Sequence, residues 1–190
     1  MKINPTGFWS DVKPHEHAIS VPLASWIAAY LPKDEWTYDL GCGTGGYLEQ
    51  LGLAGFQRLV GYEGEPPTPR KFENVKQFNL AKDLWDPFLE TGNVICLEVA
   101  EHVPAEFMDR FLDNITAACK EHLVTSWAVR GQGGDGHVNC LDNREVIPLF
   151  EKRGFEYLPD MSQAARSEIT DLPWFRNTVL IFRRHNLGRV

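Results

Sequence analysis

Residues 36–51 have the sequence Trp-Thr-Tyr-Asp-Leu-Gly-Cys-Gly-Thr-Gly-Gly-Tyr-Leu-Glu-Gln-Leu. The apolar run 36–40 predicts a buried strand with Asp39 near its end, and the glycines predict a tight turn into a helix over about 45–53. Glycines let the backbone approach a ligand closely, and the unpaired N–H groups of a helix N-terminus attract an anion. Together these features predict a site for a nucleotide-like ligand. The alternative is a plain tight turn, because strand-to-helix turns often contain glycine.

The glycine pattern fits two kinds of cofactor site. Gly41, Gly43 and Gly46 satisfy the G-x-G-x-x-G spacing of dinucleotide sites, which alone is weak evidence. The longer string Asp-Leu-Gly-Cys-Gly-Thr-Gly-Gly at 39–46 closely resembles the first motif of the class I S-adenosylmethionine (SAM)-dependent methyltransferases. The resemblance implies that this string holds the methionine end of SAM, with contacts from Asp39, Gly41, Cys42, Gly43 and Gly45.

The composition is that of an ordinary globular protein of 190 residues, with 43% hydrophobic and 24% charged residues. This length fits one domain and is too short for two full ones. A net charge of −7 leaves no basic surplus to neutralise phosphates, which argues against a nucleic-acid partner. No apolar run approaches the roughly 20 residues that span a bilayer, the N-terminus lacks a signal-peptide core, and the four cysteines form no C-x-x-C pair. We therefore expect a cytoplasmic protein without a membrane partner, of unknown oligomeric state.

Strands and helices are predicted to alternate along the rest of the chain. Helices are predicted after Ser20, after Pro104 and from about Asn143. An alternating pattern predicts a parallel α/β sheet whose ligand lies at the carboxyl ends of the strands. The mostly polar residues 163–174 precede the last strand and predict no helix, so a hairpin of the last two strands is expected. Further strands are predicted at 58–63, 75–80, 94–99, 122–127, 155–158 and 177–182.

The first 17 residues predict an irregular segment, because two prolines and a glycine interrupt regular structure. His15 and His17 flank Glu16, which is compatible with a metal site, but nothing else in the segment completes a ligand set. An exposed polar turn is the better interpretation, and a lid over the site is a third. We therefore predict one domain, 1–190, with 1–17 as an irregular N-terminal segment or lid.

Two later positions extend the cofactor site. The strand at 58–63 ends in Glu63, about 20 residues beyond the second glycine, where a carboxylate suits the two hydroxyls of a ribose. Dinucleotide enzymes and methyltransferases both have an acid there, and an ordinary surface acid is the alternative. In the methyltransferases the residue that ends the third strand contacts the adenine and is often Asp. Here it is Asn79, whose amide oxygen can still accept a hydrogen bond, and the resemblance implies that Asn79 and Leu80 bind the adenine.

Two acids and a histidine follow the predicted fourth strand, in the string Leu-Glu-Val-Ala-Glu-His at 97–102. With His137, from the glycine-rich loop after the fifth strand, they suit a divalent ion such as Mg²⁺, Mn²⁺ or Zn²⁺. The alternative is that Glu101 caps the next helix and His102 is a packing residue. The candidate metal ligands are Glu98, Glu101, His102 and His137, and Glu98 is also a candidate cofactor contact.

The string Glu-x-x-Glu-His is similar to one in ubiquinone-biosynthesis O-methyltransferases and in small-RNA 2′-O-methyltransferases. The resemblance implies a metal that holds a vicinal pair of hydroxyls. This chain lacks the long basic extensions expected of an RNA enzyme, which favours a catechol, sugar or other diol. The candidate catalytic residues are Glu101, His102 and His137, since a carboxylate or an imidazole can take the hydroxyl proton and a metal lowers its pKa.

The resemblance to class I methyltransferases covers nearly the whole chain. It implies a doubly wound, mostly parallel seven-stranded sheet of Rossmann-like type, with an antiparallel last strand and helices on both faces. It also implies methyl transfer from SAM to a hydroxyl oxygen of a small molecule.

Two other functions fit the same residues. A dinucleotide-dependent oxidoreductase would use the same glycines, and NAD binding without SAM binding would favour it. A SAM-binding protein without catalysis would act as a sensor or as the partner of a catalytic subunit. The acceptor itself stays open, because acceptor loops vary on a common fold.

Overall fold

The structure is a computed structural model that describes residues 2–10 and 17–185, so that the predictions for His15 and Glu16 lie outside the described residues. Two short 3₁₀ turns, Ala100–His102 and Ala105–Phe107, separate the fourth sheet strand from the helix that follows it. The strands and helices are β1 Lys2–Ile3, β2 Trp9–Ser10, α1 Val21–Tyr30, β3 Thr37–Leu40, α2 Gly46–Leu53, β4 Leu59–Glu63, β5 Val75–Gln77, β6 Gly92–Cys96, α3 Met108–Ala118, β7 Cys119–Ser126, α4 Asn143–Glu151, β8 Phe155–Tyr157, α5 Pro159–Glu168, α6 Phe175–Thr178 and β9 Val179–Arg184.

Seven strands form one mixed sheet in the order β5-β4-β3-β6-β7-β9-β8. The pairs β3–β4, β3–β6, β4–β5 and β6–β7 are parallel, whereas β9 is antiparallel to both of its neighbours. Within the described part of the chain, six sheet strands therefore share one direction and β9 runs against them. Numbered in chain order, the sheet reads 3-2-1-4-5-7-6. The predicted Rossmann-like sheet with an antiparallel last strand is confirmed.

The connection between β8 and β9 differs from the predicted hairpin. The two strands do pair, but α5 and α6 lie between them in the chain. Helix α5 begins with Pro159 in its first turn, and its buried residues are Ser162 and Ala165. Ser162 accepts a hydrogen bond from the backbone N–H of Ile181 in β9, at 2.9 Å. The helix escaped prediction because small and polar residues, rather than an apolar stripe, form its buried face.

Helices cover both faces of the sheet, as predicted. On one face α3 and α4 contribute fully buried side chains such as Phe111 and Phe150. On the other face α1, α2 and α5 pack through residues such as Ile27, Leu48 and Ala165. Burial of each large side chain stabilises the fold by about 1.5–3 kcal/mol. The two cores hold the parallel strands, and with them the strand ends, in fixed positions.

The start of α1 is fixed by Ser20, the predicted N-cap. Its hydroxyl accepts a hydrogen bond from the N–H of Leu23 and donates one to Asp171. Its backbone N–H donates to the hydroxyl of Tyr47, in the first turn of α2, at 3.1 Å. The residues just before α1 are thereby held beside the beginning of α2.

Across the described residues, no helix has both the length and the apolar character needed to cross a membrane.

Candidate active site

A cavity of about 310 Å³ opens at the carboxyl ends of the parallel strands β3, β4 and β6. This is the edge at which ligands bind in open α/β sheets, and the volume lies in the usual range for small-molecule sites. The walls come from the glycine turn (residues 41–46), the ends of β4 and β6, and the N-terminal hairpin (residues 2–10). Most of the predicted site residues therefore line one cavity at this edge of the sheet, whereas Gly43, Gly45 and Glu101 lie outside its described lining.

Asp39 lies near the end of β3 and is buried, with 3% of its surface exposed. Burial raises the pKa of its carboxyl to about 8, and the neighbouring Glu63 carboxylate adds to the rise. Its Oδ2 atom has no hydrogen-bond partner among the described residues. A buried polar atom without a partner is uncommon, and in a cavity wall it marks a position for a donor or a cation.

The glycine turn adopts left-handed backbone conformations that favour glycine. The φ angles of Gly41, Gly43 and Gly45 are 83°, 53° and 80°. A Cβ atom on Gly43 would overlap the imidazole of His17, and one on Gly45 would lie 2.5 Å from the Cβ of Phe72. The turn thus needs glycine both for its conformation and for the close approach of neighbouring segments.

Most N–H groups of the turn already have acceptors within the protein. Gly41 and Cys42 both donate to the carbonyl of Tyr62, and Gly45 donates to the carbonyl of Cys42. Gly43 donates to Oε2 of Glu63 at 2.8 Å. The glutamate at the end of β4 therefore supplies an acidic acceptor to the glycine turn from within the chain.

Glu63 lies at the end of β4, as predicted, and faces the cavity. Besides the bond from Gly43, its Oε1 accepts a hydrogen bond from the N–H of Gly64 at 2.7 Å. Burial raises the pKa of the Glu63 carboxyl, and these backbone N–H groups oppose the rise. Each carboxylate oxygen has two acceptor positions, so each can also accept a hydroxyl donor from a ligand.

Asn79 and Leu80 both line the cavity, in the loop that follows β5. The Asn79 amide oxygen accepts a hydrogen bond from the N–H of Ala81 at 3.0 Å, which fixes the orientation of the amide. Its nitrogen donates to the hydroxyl of Thr6, also at 3.0 Å. The amide oxygen keeps a second acceptor position, which could accept a hydrogen bond from the amino group of an adenine.

The N-terminal hairpin, in which β1 pairs with β2, forms one wall of the cavity. The ring of Phe8 lies so close to Gly64 that a Cβ atom there would overlap it. Trp9 makes an edge-to-face contact with His102, at 4.9 Å between ring centroids. Gly7, with φ of 99°, lies against the backbone carbonyl of His102. The hairpin occupies residues 2–10 of the segment 1–17, for which the sequence predicts an irregular segment or lid, so this part of the segment is more regular than predicted.

The acid–histidine cluster (Glu101, His102 and His137) has one ligand atom from each residue within 4.8 Å of the others. Glu101 is completely buried, and neither carboxylate oxygen has a hydrogen-bond partner of normal geometry among the described residues. Burial raises the pKa of the Glu101 carboxyl to about 8, and the charge of Glu98 adds to the rise. The Nε2 atom of His137 lies 4.0 Å from Oε1 of Glu101. A small cation would fit between these donors.

Both histidines of the cluster are held by backbone carbonyls. Nδ1 of His102 lies 3.2 Å from the carbonyl of Gly136, and Nδ1 of His137 lies 3.2 Å from the carbonyl of Gln132. Because a carbonyl only accepts, the Nδ1 of each ring is the donor, which leaves Nε2 as the atom that can bind a metal. Burial, with the nearby His137, lowers the pKa of His102 to about 4. Imidazoles held by a carbonyl at Nδ1 are typical metal ligands.

Glu98, the fourth predicted ligand, lines the cavity but lies outside this cluster. Its Oε1 accepts a hydrogen bond from the hydroxyl of Ser126 at 2.8 Å. The backbone N–H of Glu98 in turn donates to the hydroxyl oxygen of Ser126. Burial raises the pKa of its carboxyl to about 6. The residue has a φ of 55°, a strained conformation that costs of order 1–3 kcal/mol and is typical of functional sites.

The position of His17 differs from the prediction, because the sequence favours an exposed polar turn there. The structure instead makes it half-buried, with its imidazole against Gly43 in the cavity wall. Trp174 and Phe175, from α6 and the residue before it, also line the cavity. The local sequence carries no signal for these contacts, since they arise from packing between distant segments.

Searches with family models and against curated protein sequences found no match. Several solved structures are similar. Magnesium protoporphyrin IX methyltransferase (ChlM) from Synechocystis, solved with bound S-adenosylhomocysteine (SAH), is 17% identical, with a TM-score of 0.60 over 85% of this chain and 80% of that one. The sugar N-methyltransferase KedS8 from a Streptoalloteichus species is 15% identical, with a TM-score of 0.64 over 97% and 98%. The small-RNA methyltransferase HEN1 is 15% identical, with a TM-score of 0.62 over 93% of this chain and 27% of that one.

These similarities, at 15–17% identity, establish the architecture and leave the activity to be argued from the site. The sheet order, the antiparallel β9 and the cavity at the carboxyl edge agree with them. The chain has the Rossmann-like fold of the class I SAM-dependent methyltransferases.

Proposed function

We propose that the protein is a SAM-dependent methyltransferase that transfers a methyl group to a hydroxyl oxygen of a small molecule. The observation that carries this proposal is the buried Asp39 carboxyl, because Asp39 lies in the cavity lining and its Oδ2 has no hydrogen-bond partner among the described residues. An ammonium group supplies the donor and the charge that this atom lacks. SAM carries such a group at its methionine end, next to a cationic sulfonium.

The charge of the cavity favours SAM over a dinucleotide. The described residues that line it include five acids and no lysine or arginine. The Asp39 carboxyl is largely protonated in the empty site, because its pKa is raised to about 8, and it would ionise beside a positive group of SAM. The described lining has no lysine or arginine to neutralise the pyrophosphate of NAD. In addition, the Gly43 N–H, which would face a phosphate in a dinucleotide site, is bonded to Glu63. The lining acids are Asp39, Glu63, Glu65, Glu98 and Asp135.

The same geometry supports a role for each part of the cofactor site. Glu63 retains acceptor positions for the ribose hydroxyls, and the Asn79 amide oxygen, with the adjacent Leu80, suits the adenine. Glu98, which lines the same cavity as Asp39, is a further candidate contact to the cofactor. The methionine end is assigned to Asp39, Gly41, Cys42, Gly43 and Gly45.

When bound, SAM supplies a methyl group that its sulfonium has already activated. The chain must therefore orient the acceptor hydroxyl and remove its proton. His102 is neutral at pH 7, so its imidazole can receive a proton, although a pKa of about 4 makes it a weak base. Glu101, with a pKa of about 8, is mostly protonated at pH 7 and needs a nearby cation to act as a base. These two residues and His137 are the proposed catalytic groups.

We also propose that a divalent cation binds to the acid–histidine cluster. Two carbonyl-held imidazoles and a buried carboxyl support it, since neither oxygen of that carboxyl has a hydrogen-bond partner of normal geometry among the described residues. This donor set favours Mn²⁺ or Zn²⁺ over Mg²⁺. A cation there would lower the pKa of a bound hydroxyl and hold its vicinal neighbour. A catechol, sugar or other diol is accordingly the proposed acceptor class.

The test is formation of SAH from SAM by the purified protein with a panel of catechols and sugar diols. The assay is run with Mg²⁺, Mn²⁺ or Zn²⁺, and again in excess chelator. We expect turnover with at least one diol and its loss in chelator. Full activity in chelator would exclude the metal but not the transfer. Binding of SAM with no turnover on any acceptor would favour a non-catalytic SAM-binding protein.

A further inference from the structure

We infer that His17 binds the carboxylate at the methionine end of the cofactor. The inference rests on the proposed function, because it assigns a further residue to the SAM site. His17 lies outside the glycine motif, in the segment that precedes α1.

The position of His17 places its imidazole on the glycine turn. A Cβ atom on Gly43 would overlap the ring, with Cε1 only 2.6 Å away, so the ring packs directly on the Cα of Gly43. His17 and Asp39 line the same cavity. An imidazole and a carboxyl thus lie near the same turn, as the two charges of an amino-acid group require.

The fold holds His17 in this place through the residues that follow it. Ile19 packs on Gly46, where a Cβ atom would lie 2.8 Å from Cγ2 of Ile19. Ser20 donates its backbone N–H to the Tyr47 hydroxyl and its own hydroxyl to Asp171. The segment is therefore attached to the first turn of α2 on one side and to the loop before α6 on the other. Its position follows from the packing of α1 against α2.

Several polar groups around the turn are already used within the protein. The N–H groups of the turn that donate to Tyr62, Glu63 and Cys42 are already used. Acidic side chains line the cavity, and its described lining contains no lysine or arginine. Of its three histidines, His102 and His137 belong to the acid–histidine cluster. Among the basic side chains that line the cavity, His17 is the one that packs on the turn. A histidine N–H donates well to a carboxylate, the more so when the ring is charged.

Decarboxylated SAM provides a direct test, because it keeps the ammonium, sulfonium and adenosine groups and lacks the carboxylate. The dissociation constants of SAM and decarboxylated SAM are measured for the unaltered protein, His17→Ala and His17→Gln. His185→Ala, which changes an exposed histidine, is the matched control. Thermal unfolding of each variant shows that it is folded.

We expect His17→Ala to weaken SAM binding by about tenfold or more, the usual effect of losing a hydrogen bond to a charged group. Binding of decarboxylated SAM should change less than twofold. His17→Gln, which keeps an N–H donor, should retain part of the SAM affinity, and His185→Ala should match the unaltered protein.

An equal loss for both ligands, or no loss for either, would overturn the assignment of His17 while leaving SAM binding intact. Failure of the proposed function has a different signature, since the unaltered protein would then not bind SAM. If His17→Ala does not fold, the comparison of the two ligands is made with His17→Gln. In that case equal ratios of the two affinities in the variant and the unaltered protein would contradict the inference.

Discussion

Burial of the acidic residues Asp39 and Glu101 lowers the free energy of unfolding at neutral pH. Asp39 is 3% exposed, and Glu101 is fully buried. A carboxyl with a raised pKa stays protonated in the folded protein, whereas in the unfolded chain it ionises near pH 4. The free energy of unfolding therefore falls as pH rises from the unfolded pKa towards the folded one. For Asp39 this window runs from about pH 4 to about pH 8.

Asp39→Asn should remove this loss, because an amide has the same shape and does not ionise. We expect the variant to gain stability relative to the unaltered protein between pH 5 and pH 8, by on the order of a few kcal/mol. It should also lose SAM binding, since the cation partner is gone. Urea unfolding at both pH values measures the first effect. Asp34→Asn, at an exposed position, is the control, and a pH-independent difference for Asp39→Asn would contradict the account.

Glu63→Ala should weaken SAM binding by more than tenfold. The variant loses the ribose acceptor and leaves the N–H groups of Gly43 and Gly64 without their partner. Glu63→Gln retains one acceptor oxygen, so its affinity for SAM should lie between those of the unaltered protein and Glu63→Ala. Calorimetric titration with SAM measures all three proteins, and an unchanged affinity in Glu63→Ala would remove Glu63 from the site.

Among the elements, the N-terminal hairpin contacts both the proposed cofactor site and the acid–histidine cluster. Thr6 accepts a hydrogen bond from Asn79 on the cofactor side, and Trp9 contacts His102 on the cluster side. We propose that this hairpin is a lid that closes the site around its ligands. Both sides must be in place for the acceptor to meet the methyl group in a water-poor cavity.

Gly7→Ala tests this lid against a control with the same backbone strain. Gly7 and Gly55 have φ angles of 99° and 97°, but only at Gly7 would a new Cβ atom meet a neighbour, the carbonyl of His102. Each substitution should destabilise the protein by about 1 kcal/mol through its backbone conformation. Only Gly7→Ala should also lower kcat/KM, by tenfold or more, because it separates the hairpin from His102. Equal kcat/KM values for the two variants would argue against the lid.

The elements also show which parts of the fold can be predicted from the sequence alone. The unit β3, glycine turn and α2 was predictable because it is local, and the φ angles of Gly41, Gly43 and Gly45 favour glycine at those positions. Helix α5 was not, since its buried face of Ser162 and Ala165 has no apolar periodicity. His17 and Glu98 show the same limit at the site, because contacts with Gly43 and Ser126 decide their roles. Strand ends can be read from the sequence, whereas contacts across the cavity depend on tertiary packing.

The whole molecule combines a common architecture with an acidic cavity. The fold alone is compatible with many activities. The composition of the cavity lining narrows the choice of activity, because the described lining has acids but no lysine or arginine, and the buried Oδ2 of Asp39 has no hydrogen-bond partner among the described residues. The net charge of −7 also disfavours nucleic-acid acceptors. A cationic cofactor and a small uncharged acceptor agree with both features.

Calorimetric titration of the purified protein with SAM, with NAD as the parallel ligand, tests the central claim most directly. We predict micromolar binding of SAM and no measurable binding of NAD, because the cavity favours cationic groups and repels a pyrophosphate. Binding of NAD without SAM would contradict the claim and indicate a dinucleotide enzyme. The roles assigned to Asp39, Glu63 and the acid–histidine cluster would then have to be withdrawn.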